Sequence, residues 1–165
     1  MNRAQRLIWL FEGLDAMCPG GYAIGLHLSF TTSKYIFQTY PQDWMEAYSS
    51  KGLILQDPTI RWGLENTGSI HWSDLEQSDP GGVIAAARAH GLAEGVSISV
   101  ATEKSRSLGS YATHGEPFTE GTVKTLSERL HEMHAVSADI EKDSVDDTQI
   151  RRFAASISGR SFHNP

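Results

Sequence analysis

The sequence has little cysteine and no long apolar run. Its single cysteine, Cys18, cannot form a disulfide within the chain, which is typical of a reducing compartment. The apolar run at residues 7–11 is far shorter than the roughly 20 residues needed to cross a bilayer. Acidic residues at positions 12 and 15 also interrupt any signal-peptide pattern. We therefore expect a cytoplasmic protein that makes no membrane contact.

Positive charge is also scarce. The 165 residues include 14 Lys and Arg against 20 Asp and Glu, a formal net charge of −6. Because such a chain offers no basic face to a phosphate backbone, we expect no direct nucleic-acid binding by this chain. Hydrophobic residues make up 39% and charged residues 21%, the usage of an ordinary globular domain that is long enough to bury a core.

Motifs of nucleotide-binding, nucleophilic and metal-dependent enzymes are missing. There is no phosphate-binding glycine loop, and residues 95–99 (GVSIS) lack the second glycine of a nucleophile elbow. His131 and His134 lie three positions apart, but no further cysteine or histidine stands at metal-ligand spacing, so a solvated helix face is favoured. The sequence therefore predicts no enzyme, no metal site and no cofactor.

Hydrophobic periodicity and turn residues divide the chain into alternating helices and strands. Helices are predicted over 2–17, 41–50, 57–66, 79–90 and 119–140. Strands are predicted over 22–30, 35–38, 96–101 and 108–113, with residues 31–33 as a hairpin connection. Strands in two antiparallel groups, with helices before, between and after them, predict an α+β domain with helices on both faces of one antiparallel sheet.

One predicted helix carries three aromatic residues with hydrogen-bond donors. Tyr40, Trp44 and Tyr48 are spaced four residues apart, so they share a helix face. Such a stripe is ordinarily core, but a bound ligand can also satisfy buried O–H and N–H groups. Asp57 is either only the cap of the next helix or a polar group of the same site, and Trp72 is either core or site.

Four segments in order resemble the autoinducer-binding domain of LuxR-type quorum-sensing regulators. They are residues 40–48 (YPQDWMEAY), 57–59 (DPT), 71–73 (HWS) and 86–97 (AARAHGLAEGVS). The resemblance runs from the first helix to about residue 143. It implies an α-β-α sandwich that encloses an N-acyl-homoserine lactone between the sheet and one helical layer.

The resemblance also implies roles for individual residues. Trp44 would donate its indole N–H to the lactone carbonyl, and Tyr40 its hydroxyl to the acyl carbonyl. Asp57 would accept from the ligand's amide N–H, and Trp72 would pack on the lactone ring. Side chains expected to face the acyl tail are Ile36, Tyr48, Ile60, Val83, Leu92 and Leu108.

One position departs from the family pattern. The family often has a serine or threonine on the strand at 108–113 that reaches toward the ligand, whereas this sequence places Ala112 there. We therefore expect either that a 3-oxo or 3-hydroxy group on the ligand is not recognised, or that Ser110 recognises it.

The predicted domain ends near residue 143 and leaves a short tail. Residues 1–143 form the expected ligand-sensing domain, and 144–165 are too few for an independent domain. Residues 146–155 resemble the opening of the first helix of a helix-turn-helix domain, or are simply a frayed C-terminal helix.

In family terms, the chain would form a homodimer, or pair with a full-length regulator as an anti-activator or ligand sink, or act through a missing DNA-binding domain. The alternative is a sensor, or a lactone-processing enzyme, of similar architecture for another small molecule.

Overall fold

Five antiparallel strands form one sheet at the centre of the fold. A computed structural model describes residues 1–29 and 32–162, with the backbone alone for 159–162. The strands are β1 (Gly21–Ser29), β2 (Thr32–Gln38), β3 (Gly68–His71), β4 (Glu94–Ala101) and β5 (Arg106–Thr113). Their order across the sheet is β2-β1-β5-β4-β3. The β1-β2 and β4-β5 hairpins are therefore joined through the pairing of β1 with β5.

Helices in the described part of the chain cover both faces of this sheet. The α-helices are α1 (Arg3–Trp9), α2 (Leu14–Met17), α3 (Gln42–Ser50), α4 (Pro58–Glu65), α5 (Val83–Ala89), α6 (Glu120–Ser137) and α7 (Val145–Phe162). Two short 3₁₀ helices span Leu53–Gln56 and Trp72–Ser78. The predicted class, an α+β fold with a central antiparallel sheet between helices, is confirmed.

Two apolar cores lie on opposite faces of the sheet. The larger core packs α1, α6 and α7 against strand residues such as Ile24 and Tyr111. The smaller core packs α3, α5 and the 3₁₀ helix at Trp72–Ser78 near Ala112. Because successive strand residues point to opposite faces, the neighbours Tyr111 and Ala112 belong to different cores. The smaller core borders the cavity described below.

The N-terminal half differs in detail from the sequence prediction. The helix predicted over 2–17 is divided into α1 and α2, because Gly13 takes the left-handed conformation with φ at 80°. Strand β3 was not predicted, since Ile70 is the only large apolar residue in it. Phe30 and Thr31, at the predicted strand end and hairpin connection, lie outside the described residues, and β2 begins at Thr32 rather than at residue 35.

Two predicted helix starts use aspartate in different ways. Asp57 caps α4 as expected: its Oδ1 accepts from the backbone N–H of Thr59 at 2.9 Å, and Pro58 takes the first helical position. Asp79 lies four residues ahead of α5, and its carboxylate accepts from the backbone N–H groups of Val83 and Ile84. The helix predicted from residue 79 therefore begins at Val83.

The C-terminal helix α7 packs on the sheet. The Tyr35 hydroxyl donates to Oδ1 of the buried Asp147 at 2.6 Å, and Arg151 donates to Oδ2 of the same carboxylate at 3.1 Å. Ile150 and Ile157 are fully buried in the larger core. Residues Val145–Phe162 therefore form a helix that packs against β2 and α1.

Candidate ligand-binding site

A cavity of about 750 Å³ lies between the sheet and the helices α3, α4 and α5. This volume is within the range of about 300–1,000 Å³ usual for small-molecule sites. Ten of the residues singled out from the sequence line it: Ile36, Tyr40, Trp44, Tyr48, Asp57, Ile60, Trp72, Val83, Leu108 and Ser110. The sequence therefore located this cavity from residues spread over more than 70 positions of the chain.

Leu92, expected to face the acyl tail, does not line the cavity. Gly91 ends α5 in a left-handed turn with φ at 89°, and the Leu92 N–H donates to the Ala87 carbonyl at 3.0 Å. In this helix-ending motif the residue after the glycine packs back against the last turn of the helix. Leu92 is consequently fully buried in the smaller core beneath the cavity.

Residues in two neighbouring rows of the sheet form the floor of the cavity. In the strand register, Leu108 of β5 lies opposite Gly25 of β1, and Gly25 lies opposite Ile36 of β2. One step along the strands, Ser110 lies opposite Ala23. We call the first set, Leu108, Gly25 and Ile36, the apolar row. Its central glycine has no side chain, and the side chains of Ser33 and Leu28 lie over it, 2.8 and 3.1 Å from where a Cβ would stand.

Asp57 joins the cavity ends of α3 and α4. Its Oδ1 accepts from the backbone N–H and the hydroxyl of Thr59, and its Oδ2 accepts from the Tyr48 hydroxyl at 2.7 Å. Asp57 is thus both the helix cap and a polar group of the cavity. Burial, followed by the adjacent Asp57 carboxylate, raises the pKa of Tyr48 far above its ordinary value, so Tyr48 remains a neutral donor. Tyr48 was expected among the apolar tail contacts, but its hydroxyl is directed to this carboxylate.

Tyr40 and Trp44 bring two further donors to the cavity. The Tyr40 hydroxyl donates to the backbone carbonyl of Ser110 at 3.1 Å. Burial raises the pKa of Tyr40 well above its ordinary value, and the Asp57 carboxylate adds to the shift. Trp44 is 5% exposed and lines the cavity, and no acceptor among the described residues bonds to its indole N–H. Trp44 therefore has a donor available to a ligand.

Trp72 is held in place by the protein itself. Its indole N–H donates to Ser97 Oγ at 3.1 Å, and Ser97 Oγ lies 2.8 Å from Ser110 Oγ. The Trp72 ring lies against Gly95 of β4 so closely that a Cβ at that position would overlap the ring. Its rigid ring face can support a ligand without reorganisation. Ser110 lines the cavity, whereas Ala112 is fully buried.

Exposed apolar side chains surround the mouth of the cavity. Ile36, Ile54, Leu55 and Leu64 all line it, and each is between 46% and 82% exposed. Large aliphatic side chains are usually buried, so four of them at one opening mark a surface that contacts an apolar group.

The sequence analysis missed part of the cavity wall. The missed apolar residues are Ala23, Ile24, Gly25, Leu28, Met45, Ile54, Leu55, Leu64, Ile84 and Ala87. Leu64 could have been found, because it lies one helical turn after Ile60. Gly25 and Leu28 could not, because their contribution depends on how β1 pairs with β2 and β5.

Two other kinds of site are not found in the described residues. No group of three or more histidine, cysteine, aspartate or glutamate side chains in residues 1–29 and 32–162 is arranged to hold a metal ion. None of the helices in these ranges is long and apolar enough to cross a membrane. The cavity is the feature on which a functional interpretation rests.

Comparison with known proteins places these features in a family. The family model of the autoinducer binding domain matches residues 21–135. The transcriptional activator protein SolR of Ralstonia nicotianae is 31% identical over 119 residues, which cover 70% of this chain and 48% of SolR. The chain thus spans about half the length of the curated relatives it matches.

Solved structures share the fold. SdiA in complex with octanoyl-rac-glycerol superposes with a TM-score of 0.59 at 19% identity, covering 94% of this chain and 71% of SdiA. The N-acylhomoserine lactone dependent LuxR family transcription factor CepR2 from Burkholderia cenocepacia gives a TM-score of 0.59 at 14% identity, covering 78% and 79% of the two chains. The matched segment includes all of the sheet and the whole cavity. The chain therefore belongs to the autoinducer-binding domain family of LuxR-type quorum-sensing regulators.

Proposed function

We propose that the cavity binds an N-acyl-homoserine lactone. The lactone and amide would lie at the end formed by Tyr40, Trp44 and Asp57, and the acyl tail would lie over the apolar row toward the mouth. The observation that carries this proposal is the Trp44 indole N–H, which lies in the cavity wall and has no acceptor among the described residues. Because none of the fully buried side-chain nitrogens and oxygens in these residues lacks a partner, this N–H is reached from the cavity.

The donors and acceptors at the polar end complement those of the ligand. An acyl-homoserine lactone offers one amide N–H and carbonyl oxygens on the ring and the acyl chain. A carboxylate has about four acceptor positions, and the protein uses three at Asp57, so one remains for the ligand N–H. Trp44 and Tyr40 supply N–H and O–H donors for the carbonyls, Tyr40 by turning from the Ser110 carbonyl.

The remaining cavity wall suits an acyl chain. Its lining is predominantly aliphatic and aromatic, with Ile60 and Leu108 among the residues between the polar end and the mouth. Each methylene that leaves water for such a wall contributes about 0.8 kcal/mol. Two proteins of similar structure support an acyl-bearing ligand for this chain. CepR2 is described as dependent on N-acylhomoserine lactone, and SdiA was solved in complex with octanoyl-rac-glycerol.

The same cavity supports a receptor rather than an enzyme. Its described lining includes no histidine and no cysteine. The Ser97 hydroxyl, which accepts from the Trp72 indole, and the Ser110 hydroxyl bond to each other and not to a base. We therefore propose that a lactone leaves the protein chemically unchanged.

Calorimetric titration with a series of acyl-homoserine lactones tests the proposal. Because a neutral hydrogen bond contributes about 0.5–1.5 kcal/mol, Trp44→Phe should weaken binding roughly 2- to 12-fold. Trp9→Phe is the matched control, since Trp9 is on α1 outside the cavity lining. The proposal is wrong if the wild-type protein binds no lactone, if Trp44→Phe binds as tightly as wild type, or if mass spectrometry of the titrated ligand shows ring opening.

We propose that the chain regulates transcription through pairing, either as a homodimer or with a full-length regulator. In the second case it would hold that regulator off DNA or deprive it of ligand. The alternative is that it acts through a DNA-binding domain. The family membership and the greater length of the matched relatives support a role in transcription regulation. Pairing would use the outward face of α6, and requires both proteins in the cytoplasm. Adding the purified chain to a full-length relative bound to its operator should weaken operator binding, and unchanged binding would refute the pairing with a full-length regulator.

A further inference from the structure

Arg106 connects the end of α4 to the sheet. Its Nη1 donates to the carbonyl oxygens of Gly63 at 2.9 Å and Asn66 at 2.5 Å, and to Ser99 Oγ at 2.8 Å. The Ser99 hydroxyl in turn donates to the Gly63 carbonyl at 2.7 Å. The last carbonyls of a helix lack partners within the helix, and a cation there also favours the helix dipole. Arg106 and Ser99 therefore clamp the C-terminal end of α4 to β4 and β5.

Gly63 sets the distance of α4 from the sheet. The Leu108 side chain of the apolar row lies so close to the Gly63 backbone that a Cβ on Gly63 would overlap it. Gly63 is buried, and its carbonyl is the one acceptor shared by Arg106 and Ser99. The clamp thus acts on the residue at which helix and sheet are in contact.

Helix α4, which the clamp holds at its C-terminal end, is also a wall of the cavity. Ile60, Arg61 and Leu64 line it from α4, and Leu108 lines it from the sheet below. Arg106 itself does not line the cavity, and the described residues include no ion-pair partner for its guanidinium. Its contacts in the described structure are therefore those that hold the wall in position.

We propose that Arg106 is a positioning residue for ligand selection: by fixing the C-terminal half of α4 above the apolar row, it determines which acyl-tail lengths the cavity accepts. This inference rests on the proposed function. Release of the clamp lets Leu64 and Ile60 move away from Leu108, which admits longer tails and reduces the contact made by tails of the native length. The polar end, held by the Tyr48–Asp57 hydrogen bond, is unaffected.

The test is the affinity profile across saturated acyl-homoserine lactones from butanoyl to tetradecanoyl, measured on wild type, Arg106→Met and Arg129→Met. Arg129 is the matched control, because its Nη1 also donates to two backbone carbonyls, those of Leu10 and Glu12, on the opposite face of the sheet. In wild type, affinity should rise about fourfold per methylene until the tail reaches the wall, and then fall.

Arg106→Met should move the tightest-binding tail at least two methylenes longer, with the butanoyl ligand changed less than about threefold. Arg129→Met should keep the wild-type profile. A uniform loss across all lengths, or the same profile in both variants, overturns the inference and leaves the proposed function standing. If Arg106→Met does not fold, Arg106→Lys, which keeps the cation on a shorter side chain, is judged by the same shift. Failure of the wild-type protein to bind any member of the series overturns the proposed function and this inference with it.

Discussion

Substitutions at Asp57 distinguish its contribution to folding stability from its contribution to ligand binding. In Asp57→Asn the side-chain oxygen still accepts from the Thr59 N–H, and the new NH₂ group can donate to the Tyr48 hydroxyl. Because asparagine caps helices about as well as aspartate, the free energy of unfolding should change by less than about 1 kcal/mol. The substitution removes the charged acceptor, however, and turns an N–H donor toward the ligand's own N–H.

The expected magnitudes follow from these contacts. A hydrogen bond to a charged group contributes about 1.5–3 kcal/mol, so Asp57→Asn should weaken lactone binding roughly 10- to 150-fold. Asp57→Ala removes the cap, which costs about 0.5–2 kcal/mol, and leaves the half-buried Tyr48 hydroxyl without its acceptor. Asp57→Ala should therefore lose stability as well as affinity.

Two measurements on the same preparations decide between these effects. Urea unfolding without ligand gives the stability of wild type and both variants, and calorimetric titration gives their affinities. The reasoning is refuted if Asp57→Asn binds the lactone as tightly as wild type, because Asp57 would then act only as a helix cap. It is also refuted if the affinity loss of each variant merely follows its stability loss.

Further predictions concern the two faces of the sheet. Gly95→Ala should displace the Trp72 ring and weaken lactone binding at least tenfold, with a changed tryptophan fluorescence spectrum; an unchanged spectrum and affinity would show that the ring does not depend on Gly95. Burial, then the neighbouring His134 and Lys34, lowers the pKa of His27 from 6.5 to about 4. The unfolded chain therefore takes up a proton as the pH falls below 6.5 while the folded protein does not, so stability should fall from pH 6.5 toward pH 4. The urea midpoint should drop less over this range in His27→Asn, which tolerates the left-handed backbone at that position, and an equal drop would exclude His27 as the source. Asp147→Asn should loosen α7 and raise amide exchange at Ile150, and unchanged exchange would show that this carboxylate does not anchor the helix.

Local patterns were sufficient for much of the site. Helical spacing placed Trp44 and Tyr48 on one face of α3, and the Asp-Pro pair correctly predicted the start of α4. Tyr40 lies two residues before α3 rather than on it, but it lines the same cavity. These features depend on residues within one or two turns of each other. The sequence therefore predicts the polar end of the cavity well.

Features that depend on tertiary contacts could not be predicted from the sequence. Gly25 is part of the cavity floor only because β1 pairs with both β2 and β5, and Leu92 is drawn into the core by the turn that ends α5. The Arg106 clamp joins residues about 40 positions apart, through backbone carbonyls that carry no sequence signal. Helix α7 was also ambiguous, because the partner that buries Asp147 is Tyr35, at the other end of the chain.

The most direct test of the account is mass spectrometry of an organic extract from the protein, expressed with and without a mixture of acyl-homoserine lactones, together with the Tm of each preparation. The account predicts that one lactone co-purifies near equimolar amount and that Tm rises, since ligand at 100 times its Kd stabilises the folded state by about 2.7 kcal/mol. An empty protein whose Tm is indifferent to every lactone would contradict it.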